Sequence, residues 1–470
     1  MFSNSSLPSR RSMLQQMACG VGGLGLATLL ADEAHADAAS GPPGPHHAAK
    51  AKSLIFLNMQ GGPTQFETFD YKPEMAKYDG KEPPVSARQD GTVRFIPGST
   101  ITAPLFKYLR HKNSAVATTE VFPHMAGVLD ELCAIRSMQV DSPAHPSGQT
   151  QAMTGYVRPG MPSFGSWLLY GLGSANKNLP GFVYLAEGHR HGSAFLPAQT
   201  QGMPVGAKVP NIRRANTTTE AQQRELLDNL AKLNGAFAAQ HPGESVLDAR
   251  IEAAELAFRM QMACPEAVDV AKESASTLAL YGITGSKKTE KAVRGGLSQS
   301  TEEFSTMCLV ARRLVQRGVR MVTIGIGGRR GWDQHGNLKA SVAHNAGVID
   351  QGVAALIKDL KTHGLLESTI VMWGGEFGRT PYAQGKDGRD HFAKGFTYWL
   401  AGGGARRGVY YGETDELGLT ITKDPVHLHD LHTTILHLMG LDHEKLTYRY
   451  AGRDHRLTDV NGHVVPGLIA

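Results

Sequence analysis

The sequence predicts an α/β protein built on a mostly parallel central sheet with helices on both faces. Short continuous apolar runs of strand length, segments of helical period between them, and polar glycine-bearing loops where the runs end carry that prediction. A chain of 470 residues, 41% hydrophobic and 19% charged, is long enough to bury a large core. Its formal charge of +5 is small for this length, and no stretch interleaves basic with aromatic residues. No nucleic acid is therefore expected among its partners.

The elements follow in chain order. Arg10-Arg11 stands directly before a Gly/Ala/Leu-rich run ending near Leu30, and Ala34-His35-Ala36 offers a small-x-small cleavage pattern. This predicts a twin-arginine signal peptide over 1–36 and export to the periplasm or beyond, with no stable membrane span once the signal is removed. A Pro/Gly/His/Ala linker over 37–52 leads into a single domain over 53–470. There Ser53 to Met59 is an apolar run stopped by Gly61-Gly62-Pro63, the pattern of a buried strand. Comparable runs occur at Cys133 to Met138, Phe182 to Ala186, Arg320 to Ile326 and Ser368 to Trp373. From about 217 to 304 the chain is rich in Ala, Glu, Gln, Leu and Lys, which predicts a helical insertion packed on the main sheet. Ile349, Val353, Leu356, Ile357 and Leu360 recur at helical spacing after Asn345. A last helix is expected with Asp424 as N-cap, Pro425 in its first turn and Leu428, Leu431, Ile435 and Leu438 on one face. Of the four cysteines, Cys19 lies in the signal, and Cys133, Cys264 and Cys308 show no CxxC spacing. One disulfide among those three is compatible with an oxidising compartment, but the sequence does not pair them.

In open α/β sheets the functional groups gather past the carboxyl ends of the strands. The run at Arg320 ends in Gly331-Trp332-Asp333-Gln334-His335, the run at Ser368 in Gly375-Glu376-Phe377-Gly378-Arg379, and a short loop later comes Gly388-Arg389-Asp390-His391. An Asp, a Glu and two His from three such loops are the materials of a divalent-metal site. Asp333, His335, Glu376 and His391 are the expected ligands, for zinc or manganese first, with calcium or magnesium as alternatives. Taken singly, Asp-x-His can be a self-bonded turn and Glu376 with Arg379 an internal ion pair. Glu67 and Asp70, past the first strand, are additional candidate carboxylates. The loop Asp141 to Thr150 offers Ser142, His145, Ser147 and Thr150, the materials of an activated nucleophile. The histidines from His427 to His455 do not share one helix face, so most are expected at the surface or at helix ends.

Asn58-Met59-Gln60-Gly61-Gly62-Pro63, Thr68-Phe69-Asp70, Trp332-Asp333-Gln334-His335, Gly375 to Pro381 and Gly388 to His391, with the twin-arginine start, closely resemble the secreted bacterial family named domain of unknown function 1501. The resemblance runs from about Ser53 to Val465. That family in turn resembles the alkaline phosphatase superfamily of sulfatases, phosphatases and phosphomutases. The resemblance implies an alkaline phosphatase/sulfatase-like fold in which Asp333, His335 and His391 hold one metal and Glu376 a second or bridging position. Three departures stand out. Gln60-Gly61 replaces consecutive acidic residues, Phe377 replaces a His or Asn, and His145 occupies the position of the sulfatase modified cysteine.

The expected chemistry is hydrolysis of sulfate or phosphate esters, carried by small molecules or polysaccharides. His145 acts as acid or base, and Arg379 or Arg389 clamps the anion. Ser142, Ser147 or Thr150 can serve as nucleophile, as can His145 itself or a metal-bound hydroxide. For both arginines the structural alternative is pairing between loops and carboxylates. The alternative of another class is a non-catalytic binding protein on the same scaffold. A phosphomutase is the third reading.

Overall fold

The structure is a computed structural model that describes residues 43–84, 98–185, 191–205, 219–240, 264–285, 293–327, 331–385 and 387–470, with Leu256 and Arg259. The expected signal and the first part of the linker, 37–42, lie outside the described residues. No described helix is long and apolar enough to cross a membrane.

The main sheet takes β1 (Ser53–Met59), β2 (Leu132–Gln139), β3 (Phe182–Leu185), β4 (Met203–Pro204), β5 (Met321–Ile326) and β6 (Thr369–Gly374). A separate hairpin of β7 (Gly378–Gln384) and β8 (Gly388–Phe392) follows, and then β9 (Lys394–Ala401), β10 (Val409–Tyr411) and β11 (Val426–His427) return to the sheet. Their spatial order is β10-β2-β9-β6-β1-β5-β3-β4, with β11 also on β2. All neighbours run parallel except β9, which is antiparallel to both β2 and β6.

β1 is buried along its whole length. Because alternate strand residues point to opposite faces, Ile55, Leu57 and Met59 enter one core while Leu54 and Phe56 enter the other. The longer described helices are α1 (His145–Thr154), α2 (Phe164–Leu172), α3 (Glu220–Gln240), α4 (Thr301–Gln316), α5 (Leu338–Thr362) and α6 (Leu428–Leu438). Phe304 and Leu309 of α4 and Val353 and Leu356 of α5 fill the first core. Trp167 and Leu168 of α2 and Leu431 and Ile435 of α6 fill the second. The α/β class with helices on both faces is therefore the observed one.

All five expected strands form. β9 was not anticipated; it enters beside β6, where Trp399 stacks flat on Trp373 at 6.1 Å. The last helix starts later than expected. Asp424 lies at φ 47° and Val426 pairs with Met138 of β2, so the residues assigned to a first turn extend the sheet instead. The helix is capped by His427, whose ring accepts from the His429 amide while Asp430 accepts from the His427 amide. Within the insertion, Cys264, Ala267 and Tyr281 join the core, whereas α3 buries none of its described side chains and leaves Leu226, Leu230 and Leu233 exposed. Cys133, Cys264 and Cys308 are free and buried. Burial pushes the Cys133 thiol up to about 12 and the Cys264 thiol up to about 11, which keeps both protonated and unreactive.

β1 sits at the centre, with β6, β9 and β2 added on one side and β5 and β3 on the other. The carboxyl ends of β1, β5 and β6 therefore open at one edge, at the point where the chain switches direction across the sheet.

Candidate metal centre

Each side chain of the centre is delivered by a strand end. β5 leads to Asp333 and His335, β6 leads to Glu376, the β8 arm of the hairpin carries His391, and the loop after β2 opens α1 at His145. The loop after β1 locks these together by backbone. Gly61 has φ 116°, and a Cβ there would lie 2.5 Å from the Asp333 nitrogen, so only glycine permits this approach. Its N–H donates to both Glu376 oxygens, at 3.0 and 3.1 Å.

Asp333 is the hub. Its Oδ1 lies 2.8 Å from His335 Nε2, 3.1 Å from His145 Nε2, 3.3 Å from His391 Nε2 and 2.7 Å from Arg379 Nη2. The His335 and His391 Nε2 atoms are 2.9 Å apart. His145, Asp333, His335 and His391 each turn one ligand atom toward the others, all within 4.8 Å of one another. Glu376 is not in this group. It stands behind His145 and takes the His145 Nδ1 at 2.6 Å, with Gln149 donating to the same oxygen at 3.3 Å. Of the expected ligands, Asp333, His335 and His391 come together, with His145 as the fourth member of the group, while Glu376 lies behind His145 against its Nδ1.

The outer nitrogens test whether these residues fit a metal. His145 Nδ1 meets the Glu376 carboxylate, His391 Nδ1 meets the Pro143 carbonyl at 2.7 Å, and His335 Nδ1 meets Gln384, whose amide oxygen is turned toward the ring. Three oxygen acceptors on the outer side require the proton on Nδ1 in each ring. Three Nε2 lone pairs and a carboxylate then converge with no donor among them except Arg379, an arrangement that calls for a cation. The donor set fits a transition metal better than magnesium or calcium, which prefer oxygen.

In the metal-free protein, protons take the cation's part. Burial alone would lower the His145 pKa, but hydrogen bonds to Asp333 and Glu376 outweigh it and raise the pKa from 6.5 to about 9. The hydrogen bond to Asp333 likewise raises His335. Burial works against ionised Asp333, yet its bonds to the three histidines and Arg379 hold it far below the usual carboxylate range. A raised histidine pKa stabilises the fold fully below the unfolded value and loses that contribution as pH rises through the folded one. The metal-free protein is therefore expected to melt at a progressively lower temperature between pH 6.5 and about 9, a slope that His145→Gln reduces, His335 keeping its own share. Thermal unfolding in the presence of a chelator measures it, and an equal slope in the variant would contradict the assignment.

The model of the family described as "Protein of unknown function (DUF1501)" matches residues 51–469. The chain belongs to the DUF1501 family. A search of the curated proteins finds no match to it. Among solved structures it is similar to Ps i-CgsB, with 9% identity, 83% of this chain and 72% of that chain covered, and a TM-score of 0.39. It is also similar to the C-terminal periplasmic domain of EcEptC from Escherichia coli in complex with Zn, with 11% identity, coverage of 87% and 88%, and a TM-score of 0.35. A third is a protein in the alkaline phosphatase superfamily from Vibrio parahaemolyticus, with 10% identity, coverage of 87% and 74%, and a TM-score of 0.33.

In this DUF1501 chain the two arginines expected to clamp an anion are both withdrawn. Arg379 is fully buried and donates to Asp333 and to the carbonyls of Gly61, Gly62, Trp332 and Arg389, so it fixes the loops around the hub. Arg389 is fully buried and points away, with Nη2 2.7 Å and Nε 3.1 Å from the Glu67 carboxylate and further bonds to the Thr102 and Thr380 carbonyls. Both follow the structural alternative, because their donors are committed to backbone and carboxylates. Glu67 and Asp70 are likewise not part of the centre: Glu67 pairs with Arg389, and Asp70 lies 3.9 Å from Lys72 and 3.8 Å from Arg136.

Of the candidate nucleophiles, Ser142 accepts from the Ala144 amide and Thr150 donates to the Pro146 carbonyl, while Ser147 is half-buried in the first turn of α1. His429 and His432 are buried in the second core rather than at the surface; His429 Nε2 meets the Gly155 carbonyl at 2.6 Å, and burial drives the His432 pKa down to about 3. Sequence reasoning missed Gln384 and the Pro143 carbonyl. Nothing in the local pattern distinguished them, since their roles depend on two loops meeting.

Proposed function

We propose that this protein is a metal-dependent hydrolase of phosphate or sulfate esters, with one divalent cation held by His145, Asp333, His335 and His391. The observation that carries the reading is the set of three imidazoles, each with Nδ1 tied to an oxygen acceptor and Nε2 turned toward one carboxylate oxygen. Zinc fits this nitrogen-rich set best, with manganese next. When bound, the cation supplies Lewis acidity that neutralises charge on the ester oxygens and lowers the pKa of a water molecule.

The chain's own residues do the rest. Glu376, Gln384 and Pro143 hold the three rings in one tautomer and one orientation. Arg379 keeps the Asp333 carboxylate ionised and fixes it to the Gly61-Gly62 loop. The side chains of the four ligands remain 20% to 36% exposed, so the centre opens to solvent on one side and admits an ester oxygen there. α1 begins at Ala144-His145 without a side-chain cap, which leaves first-turn amides to meet an anion. Ser147, at the third position of that helix, is the hydroxyl we assign to contact the transferred group.

A second reading, a binding protein that holds anionic esters without turning them over, is favoured by the withdrawal of Arg379 and Arg389 from the open side. Turnover of a panel of aryl phosphates, phosphodiesters and sulfates, with chelation and stepwise return of zinc or manganese, separates the two. Hydrolysis that disappears with the metal and returns with it supports the enzyme. Binding of the same esters without release of phosphate or sulfate supports the binding protein.

A further inference from the structure

We infer that a second surface, remote from the metal centre, docks an anionic polysaccharide. It is built on a hairpin of β12 (Tyr448–Tyr450) and β13 (Arg453–His455), in which Tyr448 pairs with His455 and Tyr450 with Arg453. Directly paired residues share a face, so Tyr448, Tyr450, His455 and Arg453 lie on one side. The two turn residues, Ala451 at φ 50° and Gly452 at φ 79°, both adopt the left-handed conformation that matches hairpin twist.

That side is laid on Phe195. The Tyr450 ring stacks on Phe195 at 4.8 Å and 11°, with Tyr448 at 6.1 Å and 21° and His455 at 4.7 Å. Beneath them Trp167 meets Phe195 edge-on at 6.5 Å, and Tyr170 meets Tyr448 at 5.4 Å. Tyr450 nevertheless remains 51% exposed, although one of its faces covers Phe195. Its outer face is thus a flat aromatic platform already ordered by the rings below, which lowers the cost of fixing it on binding. Val157 and Val460 are exposed as well.

Cationic groups border the platform. Arg453, on the same side as Tyr450, is 52% exposed and pairs with Asp459, and Arg158 is exposed on the neighbouring loop, while Arg449 and Asp454, 3.4 Å apart, lie on the opposite side of the hairpin. Arg453, Arg158 and Arg456 all act on Tyr156, opposed there by the Asp459 carboxylate, and the Tyr156 hydroxyl donates to the Arg456 carbonyl at 2.8 Å. A pyranose ring offers a face of C–H groups that packs on an aromatic face, and guanidinium groups take sulfate or phosphate oxygens in pairs. A polymer with both features meets both halves of this surface. The choice of an anionic substituent rests on the ester-hydrolase reading of the metal centre; the platform itself does not. Gly155, which ends α1, closely approaches the Leu457 carbonyl just past the hairpin, so the chain that follows the hairpin meets α1 at the end opposite His145.

Binding of dextran sulfate to the full chain, with neutral dextran of equal length as control, tests the inference. Tyr450→Ala is expected to weaken dextran sulfate binding by at least about tenfold, the loss typical of one central aromatic contact. Arg158→Glu, a surface change that leaves the ring stack intact, weakens it in a salt-dependent way. Both variants are expected to keep the wild-type turnover of a small ester, and Asp333→Asn to keep the binding, so failure of this surface and failure of the hydrolase reading give different results. Equal binding by wild type and both variants would overturn the inference, as would neutral dextran binding as tightly as dextran sulfate. A change in oligomeric state in Tyr450→Ala would overturn it too, by making the platform a contact between copies.

Discussion

Asp333→Ala is expected to strip the metal from the purified protein and to reduce ester turnover by at least roughly a thousandfold, about 4 kcal/mol of transition-state stabilisation. The size of the effect follows from the position of this carboxylate. One oxygen faces three imidazoles and a buried guanidinium within 3.3 Å. Without it, the rings keep their Nδ1 anchors, but their Nε2 atoms surround no negative charge, and Arg379 loses its close ionic partner among the described residues. Metal content by elemental analysis and turnover on the best ester of the panel measure the two halves. A variant that retained stoichiometric metal would remove Asp333 from its central place, whatever its activity.

Arg389→Ala is expected to cost about 3–5 kcal/mol of unfolding free energy, because it leaves the Glu67 carboxylate buried without its partner. Both side chains are fully buried, and their two-pronged contact ties the loop after β1 to the β7–β8 hairpin. Replacing both together, Arg389→Met with Glu67→Leu, is expected to recover much of that loss, since no unpaired charge remains. Denaturant unfolding measures stability. Ester kinetics on the folded fraction provide the contrast: a KM raised at unchanged stability would restore Arg389 to the anion-clamp role that its withdrawal argues against.

Legibility in the sequence followed the physics of each element. Strands buried on both faces, such as Ser53 to Met59, read as continuous apolar runs bounded by glycine, and they fell where expected. β9 was not read as a strand, although Phe396, Tyr398 and Trp399 supplied the aromatic content of one. Pro425 suggested a helix start, yet the free edge of β2 recruited Val426 first.

In the candidate metal centre, three of the four converging residues were visible as acids and histidines past strand ends. The exchange of His145 for Glu376 was not. A carboxylate and an imidazole 2.6 Å apart are equally plausible ligands in one dimension, and only the Gly61 amide, which takes both Glu376 oxygens, decides which one faces inward. The arginines illustrate the same limit. Sequence composition supplies a cation near a site, while burial determines whether its donors face substrate or backbone.

The most direct test of the central claim is anomalous X-ray diffraction from crystals of the zinc-loaded protein, collected on both sides of the zinc absorption edge. One peak enclosed by the Nε2 atoms of His145, His335 and His391 and the Asp333 carboxylate, with Glu376 outside the coordination sphere, is the predicted result. Absence of a peak among these four side chains, or a peak coordinated by Glu376 in place of His145, would contradict it.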